Sequence, residues 1–297
     1  MPELPDLVVY IDALRRHLVE RRLIRILLLS PFVLRSVDPP LESVFGAAVL
    51  SVDRIGKRLV LGFPKDLFLV VHLMIAGRLK WLPGSSEKPR RPPTKIILAA
   101  FEFEHGTLFF TEASSKKRAR LQVVRGEAAV HALDPGGIEP LSVTHEAFRA
   151  ALTRESHTLK RALTDPRLFS GIGNAYSDEI LHAAKLSPLK LTRTLSDEES
   201  LRLYEATRDT LNLWVDRLRQ QAEGDFPEKV TAFRTEMAVH GRFKQPCPAC
   251  GTPIQRIVYA ENECNYCARC QTGGRLLADR SLSRLLKDDW PRSIDET

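Results

Sequence analysis

Cysteine is missing from the first 246 residues of this 297-residue chain, and all five cysteines lie between Cys247 and Cys270. A disulfide scaffold spreads its cysteines through the chain, so this clustering argues against one and points to a metal. Apolar runs of membrane-spanning length are missing too: the longest candidates, around Leu67–Gly77 and Leu23–Leu34, carry His72 and Arg25. The start has Glu3 and Asp6 where a signal peptide is basic, so the expectation is a cytoplasmic protein with no membrane partner. There is no internal repeat and no low-complexity tract. A composition 43% hydrophobic and 27% charged is globular and excludes a disordered or collagen-like chain. The excess of positive charge is small, 44 Lys and Arg against 37 Asp and Glu, so its placement matters more than its size.

The length fits about two domains, but the texture changes more often than that. After Pro5-Asp6, apolar residues at Leu7, Ile11, Leu14 and Leu18 predict an amphipathic helix with Asp6 as its N-cap. From Ile24 to about Val124, short apolar runs (Leu59–Phe63, Phe68–Met74, Ile96–Phe101, Thr107–Phe110) alternate with turn signals such as Pro39-Pro40 and His105-Gly106. That pattern predicts a β-sandwich. Pro135-Gly136-Gly137 reads as a linker. From Val143 to His240 the pattern is helical, with one amphipathic stretch over Ala147–Leu163 and another containing Trp214, Val215 and Leu218. The expected fold class is α+β multidomain, divided into 1–134, 135–240 and 241–297.

Between His240 and Lys287 stand eight basic residues, Arg280, Arg284 and Lys287 among them, against three acids, Glu261, Glu263 and Asp279. This local excess reads either as a contact for a polyanion or as a solvated charged surface. Cys247-Pro-Ala-Cys250 and Cys267-Ala-Arg-Cys270 are two C-x2-C pairs sixteen residues apart. Two such turns close a tetrahedral zinc site, and four thiolates leave no open position, so one Zn²⁺ is expected in a structural role. Cys264 makes a competing pair with Cys267, but only thirteen residues separate it from Cys250; it is taken as the spare thiol. Ile254, Ile257, Val258 and Tyr259 predict a β-hairpin between the pairs.

Pro2 before a helix is ordinarily a permissive residue. A chemical reading exists as well. Removal of Met1 would expose a secondary amine able to attack a sugar C1′ carbon and form an iminium, an electron sink for β-elimination. An α-amine has a pKa near ~8 and is more often neutral than lysine, and the helix start would lower it further. Glu3 would move the proton at the sugar.

Met-Pro2-Glu3-Leu4-Pro5, Gly56-Lys57 opening a strand, Gly171-Ile-Gly-Asn174-Ala-Tyr-Ser-Asp-Glu179 and a C-terminal four-cysteine finger follow one another in that order. Over essentially the whole chain this resembles the formamidopyrimidine-DNA glycosylase/endonuclease VIII family. The resemblance implies an N-terminal β-sandwich with an N-terminal helix, a helix–two-turn–helix domain and a C-terminal zinc β-hairpin finger that together grip damaged DNA, flip out a nucleoside, excise its base and nick the strand. It gives Pro2 the role of nucleophile, Glu3 that of general acid/base, and Lys57 a phosphate contact that assists β-elimination. His72 falls at a phosphate-contacting histidine, although a lone His in an apolar strand is otherwise a satisfied core residue. Asn174 falls at an asparagine that holds phosphate at a helix start.

The chain departs from that pattern at four places. Asn262 stands where the family's finger carries an arginine associated with δ-elimination. Ile75 stands where a Met fills the vacancy left by the flipped base. The loop of the other filler residues reads Glu112-Ala-Ser-Ser-Lys-Lys-Arg118, with Lys116 the DNA-facing candidate. The segment matching the lesion-capping loop, Gly224–Thr231, is short. The resulting expectation is a monomeric bifunctional DNA glycosylase/abasic-site lyase acting on oxidised bases in base excision repair, nucleoid-associated when on DNA, with single-stranded or open structures among its substrates. Two rivals stand beside it. One is a non-catalytic protein that keeps the scaffold and binds damaged or open DNA; the other is a zinc-finger regulator, for which no base-reading recognition helix is visible.

Overall fold

The computed structural model describes every residue except 85–91, 228–229, 231–233, 260–261, 279–284, 286–290 and 297, together with the side chains of Tyr259 and Asn262. Glu261, Asp279, Arg280, Arg284 and Lys287, the Asn262 side chain and part of the Gly224–Thr231 segment therefore lie outside the described residues. The chain forms two compact units, Met1–Pro135 with Trp214–Thr231, and Gly136–Leu213 with Ala232–Thr297. Among the described residues no helix is long and apolar enough to cross a membrane.

The first unit begins with α1 (Leu4–Leu18). The helix starts earlier than the sequence pattern predicts. Glu3 is the N-cap, and Asp6 sits at the third helical position, where its carboxylate accepts the Glu3 N–H at 3.0 Å as the returning half of a capping box. Pro5 fits the first turn because its missing N–H has no intrahelical acceptor there. Eight strands follow: β1 (Leu23–Leu28), β2 (Ser51–Ile55), β3 (Arg58–Phe63), β4 (Leu67–His72), β5 (Gly77–Pro83), β6 (Ile97–Phe103), β7 (Gly106–Glu112) and β8 (Arg120–Arg125). They make two antiparallel four-stranded sheets ordered β1-β6-β7-β5 and β2-β3-β4-β8. Alternate residues of both sheets, such as Leu59, Leu61, Leu69, Val71 and Leu121 on one and Leu79, Phe101 and Phe110 on the other, share one core with Leu7, Ile11, Leu14 and Leu18 of α1. The expected sandwich and the amphipathic face of α1 are thus both present. The Leu79 N–H also donates to the Tyr10 hydroxyl at 3.2 Å, tying α1 to β5. The other face of the second sheet buries Ile55, Val60 and Val70 against Val130 and Leu133, in and just beyond the short α2 (Glu127–His131).

The second unit holds α3 (His145–Thr153), α4 (Leu159–Thr164), α5 (Asn174–Ala183) and the start of α6 (Asp197–Ala222), whose residues from Trp214 on belong to the first unit. The single helix expected over Ala147–Leu163 is two. Backbone groups at the break are claimed from a distance: the Thr192 N–H donates to His157 O at 2.8 Å, and the Thr192 hydroxyl donates to Glu155 O at 2.9 Å. A helical pattern is expected up to His240; α6 ends at Ala222, and no helix follows it before His240 among the described residues. A two-stranded hairpin, β9 (Gln255–Tyr259) with β10 (Asn262–Tyr266), stands between the two cysteine pairs as expected, and α7 (Ala268–Thr272) follows.

Candidate functional site

In the first unit the candidate residues Pro2 and Glu3 lie at the chain start. Pro2 and Glu3 are buried immediately before α1. Burial pushes the N-terminal amine of Met1 below its usual pKa; Glu3 opposes this, Arg78 and Lys57 reinforce it, and Asp6 opposes it. The charges of Lys57 and Arg78 thus reach the chain start at the N-terminal end of α1, whose dipole adds positive potential. Lys57 does not open a strand: with Gly56 it forms the two-residue turn between β2 and β3, and Gly56 has φ +55°, a conformation that favours glycine. Arg78, which sequence reasoning did not single out, acts on the chain start from β5.

Ile75 is displayed nearby in the chain, 56% exposed, at the tip of the loop between β4 and β5. Two features fix the tip. The Gly77 N–H donates to Leu73 O at 2.8 Å, so close that a Cβ on Gly77 would sit 2.2 Å from the same oxygen. Arg78 donates to Ile75 O at 3.2 Å and, from Nε, to Val230 O. The loop after β7 is held from its inner end. Glu112 is buried, and its Oε2 accepts the N–H groups of Arg118 at 2.9 Å and Ala119 at 3.1 Å. Lys117 turns back to the Glu112 carbonyl, which leaves Ser115 and Lys116 exposed at the tip.

His72 ends β4 and is the direct cross-strand partner of Arg58 on β3 and of Arg120 on β8. Burial lowers its pKa to about 4, and Arg58, Arg120 and Lys57 contribute in the same direction, so it is neutral near pH 7. It is neither a core residue nor a cation.

In the second unit, Asn174 is the first residue of α5, after the N-cap Gly173. Its side-chain amide donates to the Glu263 carbonyl of β10 at 2.8 Å. Beneath it lies a buried polar cluster that sequence reasoning missed. The Lys160 ammonium donates to Asn174 O at 2.6 Å, Ser177 Oγ at 2.8 Å and Asp178 Oδ1 at 2.5 Å. Asp178 Oδ2 accepts the Asn265 N–H at 3.2 Å and lies 2.8 Å from His240 Nδ1. Burial pushes the Asp178 pKa up, but Lys160 and His240 outweigh it and hold the carboxyl below its usual value. Glu179 accepts the backbone N–H groups of Ala238, Val239 and His240 at 2.7–2.9 Å. Asp178 and Glu179 were visible only as part of a motif, with no signal of these partners.

The sulfurs of Cys247, Cys250, Cys267 and Cys270 all lie within 4.8 Å of one another, with Cys247 to Cys270 at 3.9 Å and Cys250 to Cys267 at 3.4 Å. A tetrahedral zinc with Zn–S bonds of about 2.3 Å sets sulfurs roughly 3.8 Å apart, so the four thiols fit one structural Zn²⁺. His182 of α5 approaches the cluster, its Nε2 lying 3.3 Å from Cys247 Sγ. Cys264 stands apart: it is buried on β10, and burial together with Asp178 raises its thiol pKa well above the usual value.

The formamidopyrimidine-DNA glycosylase N-terminal domain matches residues 1–119, the H2TH domain of the same enzyme residues 137–222, and the zinc finger found in FPG and IleRS residues 244–273. A formamidopyrimidine-DNA glycosylase of Thermus thermophilus is 34% identical over 282 residues, covering 92% of this chain and 100% of that one. Its counterpart in Pelotomaculum thermopropionicum is 30% identical over 283 residues, 91% of this chain and 99% of that one. The crystal structure of the MutM (Fpg) protein from Thermus thermophilus matches with a TM-score of 0.75 at 32% identity, over 91% of this chain and 98% of that chain. Lactococcus lactis Fpg in complex with DNA containing an abasic site shares the fold at a TM-score of 0.78 and 24% identity, over 91% of this chain and 99% of that one. With the N-terminal sandwich, the helical domain and the four-cysteine finger all matched in order, the chain belongs to the formamidopyrimidine-DNA glycosylase family.

Proposed function

We propose that this protein is a bifunctional DNA glycosylase and abasic-site lyase that removes oxidised bases in base excision repair. It works as a monomer in the cytoplasm, nucleoid-associated when on DNA, through three functional modules over 1–134, 135–240 and 241–297. The observation that carries the reading is the burial of Pro2 and Glu3 immediately before α1, where the charges of Lys57 and Arg78 act on the chain start. The neutral form of a secondary amine is the one that attacks a carbon. After removal of Met1, the Pro2 nitrogen bonds to C1′ of a flipped nucleotide as the C1′–base bond breaks. Glu3 delivers the proton that opens the sugar, leaving a C1′=N⁺ iminium. Loss of a C2′ proton then sends its electron pair toward the iminium, and the C3′–O bond to phosphate breaks. Lys57 steadies that phosphate.

His72, Ile75, Lys116 and Asn174 serve DNA binding. His72 offers a neutral N–H, and Ile75 is the wedge on a fixed loop tip. Lys116 meets phosphate from an exposed loop. Asn174 contributes through the backbone of the α5 start, since its side chain is bonded to β10. Zinc holds the finger and takes no part in the chemistry. Asn262 replaces the arginine associated with the second elimination, so cleavage stops at the β-elimination product.

The test is borohydride trapping on DNA with an abasic site. Met1-free wild-type protein gives a covalent adduct, and Pro2→Gly gives at least tenfold less. Absence of an adduct from Met1-free protein replaces this reading with a non-catalytic binder of damaged or open DNA.

A further inference from the structure

At one end of the second sheet, Arg58, His72 and Arg120 are direct neighbours across β3, β4 and β8. Directly paired residues of adjacent strands point to the same side of a sheet. Here that side is the one opposite the sandwich core, because Leu59, Val71 and Leu121, one position along, belong to the core. Two arginines and a histidine thus form a row, and the Lys57 turn lies at the same end. Like charges set across a sheet are destabilising, and the row carries signs of that cost. Burial lowers the Arg58 pKa and Arg120 lowers it further, with Asp134 the acid that offsets them. The charges acting on His72 are three cations, Arg58, Arg120 and Lys57. Groups perturbed by burial together with specific charged neighbours are candidates for binding sites.

We propose that Arg58 and Arg120 are phosphate-binding residues, forming with His72 a seat for two successive phosphates of the DNA strand whose nucleotide reaches the chain start. Arg58 and Arg120 are two strand spacings apart, about 9.5 Å at the backbone, so each guanidinium takes a separate phosphate, with the neutral His72 N–H donating between them. The order along the first unit is then the amine with Lys57, His72 against Lys57, and the arginines on either side of His72. The seat contacts only backbone, so it contributes affinity without base preference. This inference rests on the DNA-processing reading but does not depend on the amine chemistry.

The experiment is anisotropy of a labelled duplex carrying a tetrahydrofuran abasic analogue, titrated with full-length zinc-loaded protein from 50 to 300 mM KCl, beside the same duplex without the analogue. Each phosphate contact contributes about 0.9 to the slope of log K against log salt concentration. Arg58→Gln and Arg120→Gln should each reduce the slope by roughly one contact, and the double variant by roughly two, equally on both duplexes. Arg58→Lys and Arg120→Lys should keep the slope. Arg125→Gln, at the far end of β8, should leave it at the wild-type value. If Arg58→Gln fails to fold, Arg120→Gln at its exposed position carries the test alone. Slopes for Arg58→Gln and Arg120→Gln equal to that of Arg125→Gln overturn the proposal. Trapping of wild-type protein, scored separately, decides the amine reading, so either can fail without the other.

Discussion

His72 is held neutral by its surroundings, and this makes it a proton-linked element of stability. Its folded pKa of about 4 lies below the ordinary histidine value of 6.5. Between those values the unfolded chain binds the proton and the folded chain does not. The stabilisation is therefore complete above about pH 6.5 and is lost as pH falls toward 4. A tenfold difference in proton affinity is about 1.4 kcal/mol, so the loss is on the order of 2 kcal/mol after allowance for partial exposure. Thermal unfolding from pH 7.5 to 4.5 should show wild type losing more Tm than His72→Gln across that window. Equal losses would mean that burial and the three cations do not together depress its pKa. The residue's position explains why its state could not be read from the chain. An apolar run ending in His gives no sign of what stands beside it, because Arg58 and Arg120 arrive by strand register from 14 and 48 positions away.

At the scale of the element, α5 carries two buried carboxylates, Asp178 and Glu179, each with several partners. Asp178 meets Lys160, His240 and the Asn265 N–H in one buried position, and Glu179 beside it gathers three backbone donors. Replacing one partner of a buried ion pair leaves the other charge uncompensated, which costs about 3–5 kcal/mol. Asp178→Asn should lose about that much in urea unfolding, and Asp178→Asn with Lys160→Met should recover part of it. A double variant no more stable than Asp178→Asn would show that the pairing with Lys160 is not what Asp178 contributes. The elements themselves were largely legible. Spacing alone placed α1, the strand-rich region and the hairpin, since each depends on neighbours within a few residues. What was not legible depends on distant partners. The break between α3 and α4 contains no proline or glycine and is set by Thr192, far along the chain. The cap of α1 was misplaced because an acidic residue fits both the N-cap and the third helical position. The zinc ligands were legible because each pair is local. The cluster around Asp178 was not, because His240 lies 62 residues away.

For the whole molecule, the proposed extrusion of a nucleotide makes the groups at its vacancy decide which DNA is processed. Extrusion from a duplex costs a few kcal/mol. In that proposal the offset falls to one exposed aliphatic, Ile75, and to a loop tip of Ser115 and Lys116 with no aromatic ring. Stacking on a ring is worth ~1–3 kcal/mol per base, so its absence shifts duplex activity by roughly one to two orders of magnitude relative to a ring-bearing loop. Rates on one lesion in single-stranded, bubble and duplex DNA at fixed salt should favour the open forms, and a clear duplex preference would assign the filling role to other side chains. Metal content should follow the thiol geometry: native mass spectrometry should find one Zn²⁺ in wild type and in Cys264→Ser, and none in Cys247→Ser or Cys270→Ser, which should also lose DNA affinity. Loss of zinc in Cys264→Ser would move that residue into the ligand set. Its exclusion has a practical side. With four thiolates occupied by metal, Cys264 is the remaining thiol of the chain, and it is buried on β10. A maleimide or disulfide reagent can reach it only when the finger breathes. Its labelling rate in zinc-loaded protein is therefore a clock for that opening, readable without a probe attached, and slowing of the clock by DNA would time how firmly the finger closes on its substrate.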